Sequence, residues 1–325
     1  MATIEDVARV AGVSEATVSR YLNKRPVSEP SRNKVAAAID QLGYRPSVIA
    51  RALNNKKVDL VGLIVPTIGN FFYSELYQAI NEAASERGFM VMLCDANTVE
   101  KERLYIDGLA SAHASGIITT TGRCNDLYRT LSRTPVVCVD ESLVGVGPFV
   151  GSDNVHGGRI AAQHLHDCGC EDVCFMGLTE KSGSQNDRWE GFRQECRSLG
   201  MTCREVYVED DVAPLGPKVR RELASCDGIF AWSDFLALRT YGFLHSIGRE
   251  VPRDVQLIGF DSTRMGSYFI PKITSIAQDI SQVGRCAVEI LMDAGRGGEL
   301  SADRRELIDV CLVQGGTTHP KTATG

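Results

Sequence analysis

The first 23 residues, MATIEDVARVAGVSEATVSRYLN, constrain the fold more than any other stretch of the chain. Thr3, followed three positions later by Asp6, approximates a capping box, which marks the start of a helix. Gly12 breaks that helix, because glycine readily adopts the positive φ that a tight turn needs. Ser14 then caps a second helix. The pattern predicts a helix-turn-helix, whose second helix can enter the major groove of DNA.

Apolar residues in both helices are spaced so that each helix has an inner face. These residues are Ile4, Val7, Ala8, Ala11, Val18 and Leu22. Two helices of this size cannot enclose a core, so a third is expected. Val27-Ser28-Glu29 begins a further helical pattern that runs to Gly43. The helix-turn-helix pattern by itself also fits a small helical cap domain that binds no nucleic acid.

Charge is distributed unevenly along the chain. The whole sequence has a net charge of −6, which is unexpected for a protein that binds phosphate groups. Residues 1–58, however, contain ten Lys or Arg and five Asp or Glu, so they carry +5 and the remainder carries −11. A basic head on an acidic body is expected when only the head contacts DNA.

From Leu60 onward, short apolar runs alternate with helical patterns. The predicted strands are residues 60–65, 90–94, 116–120, 135–140, 172–177, 206–208, 228–232 and 255–260, and the predicted helices include residues 217–225 and 280–295. This alternation predicts parallel sheets covered by helices, and the number of strands favours two Rossmann-like lobes. Polar residues stand at the ends of several predicted strands, namely Asp140, Ser233-Asp234 and Asp261. Because ligands of such folds bind at the carboxyl ends of the strands, these residues indicate a cleft.

The ordered motifs resemble those of the LacI/GalR family of bacterial transcription regulators along nearly the whole chain. The matching stretches are TIEDVARVAGVSEATVSRYLN, VSEPSRNKVAAAIDQLGYRPS, IARAL, VGLIVPTIGNFFYSEL, PVVCVDESL, SDNVHGGRIAAQHL, DRWEGF, GIFAWSD, VQLIGFD and ITSIAQD. The resemblance implies an α/β protein with an N-terminal all-α helix-turn-helix head, residues 1–58, and a two-lobed Rossmann-like periplasmic-binding-protein core, residues 59–325. The implied lobes are residues 59–151 plus 279–309, and residues 152–278 plus 310–315.

The same resemblance places DNA-reading side chains on the outer face of the second helix. The base-contacting residues would be Glu15, Ala16 and Arg20. Arginine donates two hydrogen bonds to guanine, glutamate accepts from cytosine, and alanine contacts the methyl group of thymine. Thr3, Thr17 and Ser19 suit phosphate oxygens and would set the register. Glu15 has a second interpretation, because an acidic side chain also stabilises the N-terminus of a helix.

Residues 47–53, SVIARAL, resemble the hinge helix of the family. Leu53 would be wedged into the minor groove and kink the duplex, and Ala50 would also contact DNA. Ser47 stands where the family usually has asparagine, so the phosphate contact there would be weaker or different. Because so short a helix is marginal in water, we expect it to form only when it pairs with its twin on DNA.

An effector-binding site in the core is also implied by the resemblance. Its side chains would be Phe72, Tyr73, Asp140, Arg188, Ser233 and Asp261. An apolar wall, carboxylates and a guanidinium fork suit the neighbouring hydroxyl groups of a sugar. Structural roles are open for the same residues, because the carboxylates can cap turns and Arg188 can form a surface ion pair. Val212 stands where family members often have an aromatic residue, and Ile280 stands where some members have one, so the missing stacking face argues against a flat nucleobase.

Eleven cysteines are scattered through the chain, and several fall in apolar predicted strands, such as Cys94 and Cys138. Reduced, buried thiols are therefore expected. A metal or redox site at Cys168, Cys170 and Cys174 is an alternative, but the spacing lacks a paired CxxC or a histidine set. No metal is predicted.

The sequence predicts a DNA-binding transcriptional regulator, namely a repressor of carbohydrate-utilisation genes controlled by a small sugar or sugar derivative. A regulator that requires a purine co-repressor is the alternative. The sequence contains no GxGxxG after a strand, no Walker loop and no GxSxG, so no catalytic residue or cofactor is expected. With no transmembrane run and no signal peptide, we expect a cytoplasmic protein. Because so small a head binds one half-site weakly, and because the family resemblance implies dimerisation through the core lobes, we also expect a homodimer on a near-palindromic operator.

Overall fold

A computed structural model describes residues 2–22, 25–44, 58–179, 182–210, 213–298 and 300–319. The chain divides into two compact units, Met1–Asp59 and Leu60–Gly325, which we call the head and the core. None of the helices in the described ranges has both the length and the apolar character that a membrane span requires.

The head consists of helices α1 Ile4–Ala11, α2 Glu15–Leu22 and α3 Glu29–Leu42. Their inner faces meet in one apolar cluster. Its fully buried members are Val7, Ala8, Ala11, Val18, Val35 and Ala38. The third helix supplies Val35 and Ala38, so it closes the core that the first two helices cannot enclose. Burying side chains of this size stabilises a small unit by about 1–2 kcal/mol each.

The turn signals predicted for the head are confirmed. The Thr3 hydroxyl accepts a hydrogen bond from the Asp6 N–H at 3.2 Å, while an Asp6 carboxylate oxygen accepts from the Thr3 N–H at 3.0 Å. Gly12 ends α1 at a φ of +62°, a left-handed conformation that only glycine adopts without strain. The Ser14 hydroxyl accepts from the Thr17 N–H at 3.2 Å and so caps α2. These contacts fix the angle between the two helices.

The core alternates strands and helices, as predicted. Its strands are β1 Val58–Val65, β2 Met90–Asp95, β3 Ala114–Thr119, β4 Val136–Val139, β5 Phe149–Ser152, β6 Asp172–Leu178, β7 Thr202–Val208, β8 Gly228–Ala231, β9 Gln256–Asp261, β10 Thr274–Gln278, β11 Arg305–Ile308 and β12 Val310–Val313. Its helices are α4 Phe71–Ser85, α5 Val99–Ser111, α6 Asn125–Arg129, α7 Asn154–Asp167, α8 Gly183–Ser198, α9 Pro217–Ser225, α10 Asp234–Ser246, α11 Arg264–Tyr268 and α12 Ile280–Gly295.

These strands form two six-stranded sheets. The first sheet has the order β11-β5-β4-β3-β1-β2, and the second has the order β12-β10-β9-β8-β6-β7. Neighbouring strands run parallel in β1–β2, β3–β4, β6–β8 and β8–β9, whereas β10 and β12 are antiparallel. Strands such as β4 and β8 are buried at every position, because helices cover both faces of the sheets. The carboxyl ends of the parallel strands therefore gather at one edge of each sheet.

The chain passes between the two sheets three times. It leaves the first sheet after Ser152, returns to pack α12 on that sheet after Gln278, and passes from β11 to β12 through Asp309. This strand order supports the lobe limits predicted from the sequence, which stay a prediction. The short strands β5, β10, β11 and β12 were missed, because four or five residues give little periodicity to detect.

Candidate functional site

The outer face of α2 carries the side chains predicted to read DNA. Glu15, Ala16 and Arg20 are exposed, whereas Val18, on the opposite face, is fully buried. The orientation of α2 is thus fixed by its inner face, which leaves the outer face available for a groove. Glu15 lies in the first turn of α2, where its negative charge also interacts favourably with the positive end of the helix dipole.

The predicted phosphate-contacting residues of the head lie beside that face. Thr17 and Ser19 are half-buried, and the Thr17 hydroxyl lies 2.9 Å from that of Ser14. Thr3 is exposed but already serves as the cap of α1. Three further predicted DNA contacts lie outside the described residues; they are Ser47, Ala50 and Leu53.

A cavity of about 610 Å³ lies in the core where strand ends from both sheets converge. The residues that line it follow β3 and β4 of the first sheet, and end or follow β6, β7 and β8 of the second. They include Thr120, Thr121, Gly122, Asp140, Glu141, Leu178, Glu209, Asp210 and Trp232. This is the place where doubly wound α/β folds bind ligands, and a cavity of this size accommodates a small organic molecule.

Only two of the predicted effector-binding residues line this cavity, namely Tyr73 and Asp140. Phe72 instead packs into the apolar core beneath α4, with its ring centroid 5.2 Å from that of Tyr73 in an edge-to-face arrangement. The aromatic wall predicted from two residues is therefore one ring at the cavity and one behind it. Arg188, Ser233 and Asp261 lie outside the lining.

Asp140 is a buried carboxylate at the end of β4. It adopts a φ of +63°, which is uncommon for a residue with a side chain. One carboxylate oxygen accepts a hydrogen bond from the Ser184 hydroxyl at 3.4 Å, and the other has no hydrogen-bond partner among the described residues. Burial raises the pKa of Asp140, which the positive charge of Arg188 partly opposes. An unsatisfied buried oxygen at a cavity is poised to accept from a ligand.

Arg188 is a buried junction behind the cavity. Its Nε donates to Asn154 Oδ1 at 2.8 Å, and its Nη1 donates to the Trp232 carbonyl at 2.5 Å. The guanidinium also lies 3.7 Å from an Asp261 carboxylate oxygen and 3.6 Å above the centroid of the Phe260 ring. All of these partners are protein groups, so the side chain holds together α7, α8 and the ends of β8 and β9.

The remaining predicted residues have structural partners as well. The Ser233 hydroxyl accepts from the Leu236 N–H at 3.3 Å and caps α10. Asp261 accepts from Gln278 Nε2 at 2.7 Å, and burial raises its pKa well above the usual range. Ser233 is therefore a helix cap, a role that the sequence left open for the carboxylates instead, and the ion pair of Arg188 is buried rather than at the surface.

Sequence reasoning missed Trp232 and Glu141. Trp232 is buried, lines the cavity immediately after β8, and its indole N–H has no hydrogen-bond partner in the described part of the chain. Glu141, after β4, accepts from the Gly183 N–H at the start of α8 at 2.9 Å, so it joins the two sheets. Its position directly after a predicted strand could have identified Trp232 as a cavity residue. In an apolar run, however, a tryptophan is not distinguished from the residues of the core.

The cysteines form no metal site within the described ranges. No group of three or more His, Cys, Asp or Glu is arranged there to hold an ion. Cys168, Cys170 and Cys174 are buried and form no disulfide among the described residues, and Cys168 Sγ lies 3.7 Å from His164 Nε2. Burial raises the pKa of Cys168 to about 11, so this thiol is protonated and unreactive near neutral pH.

Comparison with known proteins identifies the family. Residues 3–47 match the family described as bacterial regulatory proteins, lacI family, and residues 162–318 match a periplasmic binding protein-like domain. The ribose operon repressor of Halalkalibacterium halodurans is 34% identical over 330 positions, which cover 97% of this chain and 96% of that protein. The chain belongs to the lacI family of bacterial regulatory proteins. The family and the fold class inferred from the sequence motifs are thereby confirmed.

Two further relatives extend the comparison. The HTH-type transcriptional repressor PurR of Vibrio campbellii is 34% identical over 312 positions, covering 90% of this chain and 92% of that protein. A periplasmic binding protein/LacI transcriptional regulator from Alkaliphilus metalliredigens QYMF, crystallised with D-xylulofuranose, is 28% identical with a TM-score of 0.75. The match covers 80% of this chain and 99% of the chain in that structure.

Proposed function

We propose that this chain is a transcriptional repressor of carbohydrate-utilisation genes, and that a small sugar or sugar derivative bound in the core cavity controls it. The observation that carries the proposal is the convergence of strand ends from both sheets on a cavity of about 610 Å³ in the core. The same chain has a head in which the outer face of α2 is exposed to solvent. The partner of that face is double-stranded operator DNA. The chain therefore acts in the cytoplasm, where the DNA is.

Relatives support the sugar class. The ribose operon repressor of Halalkalibacterium halodurans is named for a sugar operon, and the Alkaliphilus metalliredigens regulator was crystallised with a ketopentose. A head of this size gives weak affinity on one half-site, so the protein binds as a homodimer to a near-palindromic operator. The cavity is assigned to the effector with Tyr73 and Asp140 as contacts, whereas Phe72, Arg188, Ser233 and Asp261 support it from behind.

The switch follows from the two-sided lining of the cavity. A ligand that contacts both the β4 side and the β8 side shifts the equilibrium between lobe arrangements by its differential affinity for them. The expected result is that a sugar inducer weakens operator binding by about 5–150-fold, the usual range for coupled sites. Operator titrations with and without each sugar of a panel measure this. Operator DNA must weaken sugar binding by the same factor, and a mismatch between the two factors would contradict direct coupling.

A purine co-repressor is the second candidate, because Trp232 offers a flat apolar face on which a nucleobase can stack, and the Vibrio campbellii relative is named PurR. The same titration separates the candidates. A sugar inducer lowers operator affinity, whereas a purine co-repressor raises it. Adding hypoxanthine, guanine and a set of pentoses and hexoses to one operator-binding assay decides between them by the sign of the effect.

Replacing Arg20 by alanine is expected to cost about 1–3 kcal/mol of operator affinity and to relax selection at one base pair in each half-site. The reason is that Arg20 is exposed on the outer face of α2, where arginine can donate two hydrogen bonds to guanine. Competition binding with every single-base operator variant measures the change. Arg32→Ala, which removes the same charge from α3, should weaken operator and random DNA alike. An unchanged ratio of operator to random binding in Arg20→Ala would refute the assignment.

A further inference from the structure

Three buried polar atoms of residues that line the cavity have no partner within the described part of the chain. They are the indole N–H of Trp232, one carboxylate oxygen of Asp140 and the side-chain oxygen of Asn125, and Trp232 and Asp140 are both 9% exposed. The Trp232 group is a donor after β8 of the second sheet and the Asp140 oxygen is an acceptor after β4 of the first, whereas Asn125 lies at the start of α6. Because a buried polar atom left unsatisfied is costly, such atoms at a cavity indicate where a ligand makes its hydrogen bonds.

The lining of the cavity is predominantly acidic. Asp140, Glu141, Glu209 and Asp210 supply four carboxyl groups, and Arg123 supplies one guanidinium. The Arg123 Nη1 already donates to the Ala96 carbonyl at 3.0 Å.

The buried Arg188 lies behind the cavity, outside its lining, and its guanidinium donates to Asn154 and to the Trp232 carbonyl. Burial disfavours the ionised forms of Asp140 and Glu141, since it raises the pKa of both. An anionic ligand would disfavour those forms further, and it would also meet the exposed acidic side chains of Glu209 and Asp210.

Trp232 also provides an apolar wall. The guanidinium carbon of Arg188 lies 5.1 Å from the centroid of the Trp232 ring, and the arginine Nη1 donates to the Trp232 carbonyl. Both the backbone and the ring of Trp232 are therefore held in place from the protein side. A fixed aromatic ring with a donor at its edge suits a sugar ring, whose C–H face packs on the indole while a hydroxyl accepts from the N–H.

We propose that Trp232 and Asp140 form a two-sided clamp for an uncharged polyhydroxylated ring, and that the acidic lining excludes sugar phosphates and sugar acids. The proposal rests on the proposed function and narrows it, since a sugar derivative in general could carry a charge. Trp232 is the specificity-determining residue on the second sheet, and Asp140 is its counterpart on the first.

Matched pairs of ligands test the charge selection. Calorimetry of the full-length protein against D-ribose and ribose 5-phosphate, D-xylulose and xylulose 5-phosphate, and D-glucose and glucose 6-phosphate compares each sugar with its anion. For any pair that binds, the neutral member should bind at least about 100-fold more tightly, because juxtaposed like charges cost several kcal/mol. The double variant Glu209→Gln/Asp210→Asn, at exposed positions of the lining, should narrow this ratio by strengthening the binding of the phosphorylated member.

Tryptophan fluorescence tests the clamp. The chain has two tryptophans, Trp189 and Trp232, and Trp189 packs against Phe175 with ring centroids 5.5 Å apart. A bound neutral sugar should change the fluorescence of the wild type and of Trp189→Phe. In Trp232→Phe the change should be lost and the affinity should fall about 10-fold, the cost of one unpaired hydroxyl. Circular dichroism of both variants checks that they are folded.

Different failures are separable. If neither the neutral sugars nor their phosphates bind or alter operator affinity, both the proposed function and the proposed clamp are wrong. If sugars act as effectors but the phosphates bind as tightly as the neutral members, charge selection is overturned while the proposed function stands. If Trp232→Phe retains the wild-type affinity and fluorescence change, the clamp is overturned in the same way.

Discussion

Replacing Arg188 by alanine is expected to lower the free energy of unfolding of the core by about 3–5 kcal/mol, the range for breaking a buried ion pair by removing one partner. The side chain is 2% exposed and bonds to Asn154, the Trp232 carbonyl and Asp261. Its removal leaves the buried Asp261 carboxylate without its cation. Urea denaturation of wild type and variant, followed by circular dichroism, measures the difference.

Arg193→Ala is the matched control, since it makes the same change five positions further along α8. Arg193 pairs with Glu190 on the surface, with side chains 45% and 43% exposed. Exposed pairs of this kind contribute about 0–1 kcal/mol. A loss in Arg188→Ala no larger than that in Arg193→Ala would show that the buried network is not what stabilises this edge of the sheet.

The double variant Arg188→Ala/Asp261→Asn distinguishes two contributions to this loss of stability. One is the loss of the contacts of Arg188, and the other is the uncompensated charge that remains on Asp261. The asparagine can still accept from Gln278 through its side-chain oxygen, but it carries no charge. We expect the double variant to recover at least about 1 kcal/mol of the loss, because part of the cost of breaking a buried pair is the uncompensated partner. Full additivity of the two single losses would mean that the residues do not interact.

The cost of Arg188→Ala should also grow with pH. Arg188 opposes the burial that raises the pKa of Asp140 and Asp261, so its loss moves both folded-state values further upward. A carboxyl group whose folded pKa exceeds its unfolded value of about 3.9 holds a proton that the unfolded chain releases. Stability therefore falls as pH rises from that value through the folded pKa. Denaturation near pH 5 should show a smaller defect than denaturation near pH 8.

The sequence predicted the long elements closely. The helices expected over residues 217–225 and 280–295 are those observed, and the capped helices of the head begin and end where Thr3, Gly12 and Ser14 place them. Long periodic segments and side-chain caps are local signals, so they can be recognised without knowing the rest of the fold. The strands β5 and β11 pair with each other across some 150 positions, and no local signal reports such a pairing.

The candidate site was predicted less completely, for a geometric reason. The rule that ligands bind at strand ends located the edge of the sheets at which the cavity lies, but it does not tell which side chains at that edge point to the cavity. Ser233 turns to cap α10 and Asp261 turns to Gln278, whereas the apolar neighbour Trp232 lines the cavity. A sequence pattern favours polar residues as ligand contacts. It therefore gave no indication that Trp232, whose only polar side-chain atom is the indole nitrogen, lines the cavity.

Gly191→Ala is expected to destabilise the core by about 3 kcal/mol, the upper part of the range for overpacking. Helices α7 and α8 pack with their backbones in contact at Gly158 and Gly191. A methyl group built on Gly191 would lie 1.9 Å from the Val155 carbonyl oxygen, and one on Gly158 would lie 2.2 Å from the carbonyl oxygen of Arg188. Backbone atoms cannot rotate away as side chains do, so the helices must separate.

Gly242→Ala is the control with the opposite sign. Gly242 lies inside α10, and a methyl group built there meets no atom within 4 Å. Because alanine restricts the unfolded chain and favours helix, this change should stabilise the protein by about 0.4–1 kcal/mol. The midpoints of thermal and urea unfolding should therefore fall in Gly191→Ala and rise in Gly242→Ala, relative to the wild type. A Gly191→Ala protein as stable as Gly242→Ala would show that α7 and α8 are not in backbone contact, and the placement of Asn154 beside Arg188 would have to be revised.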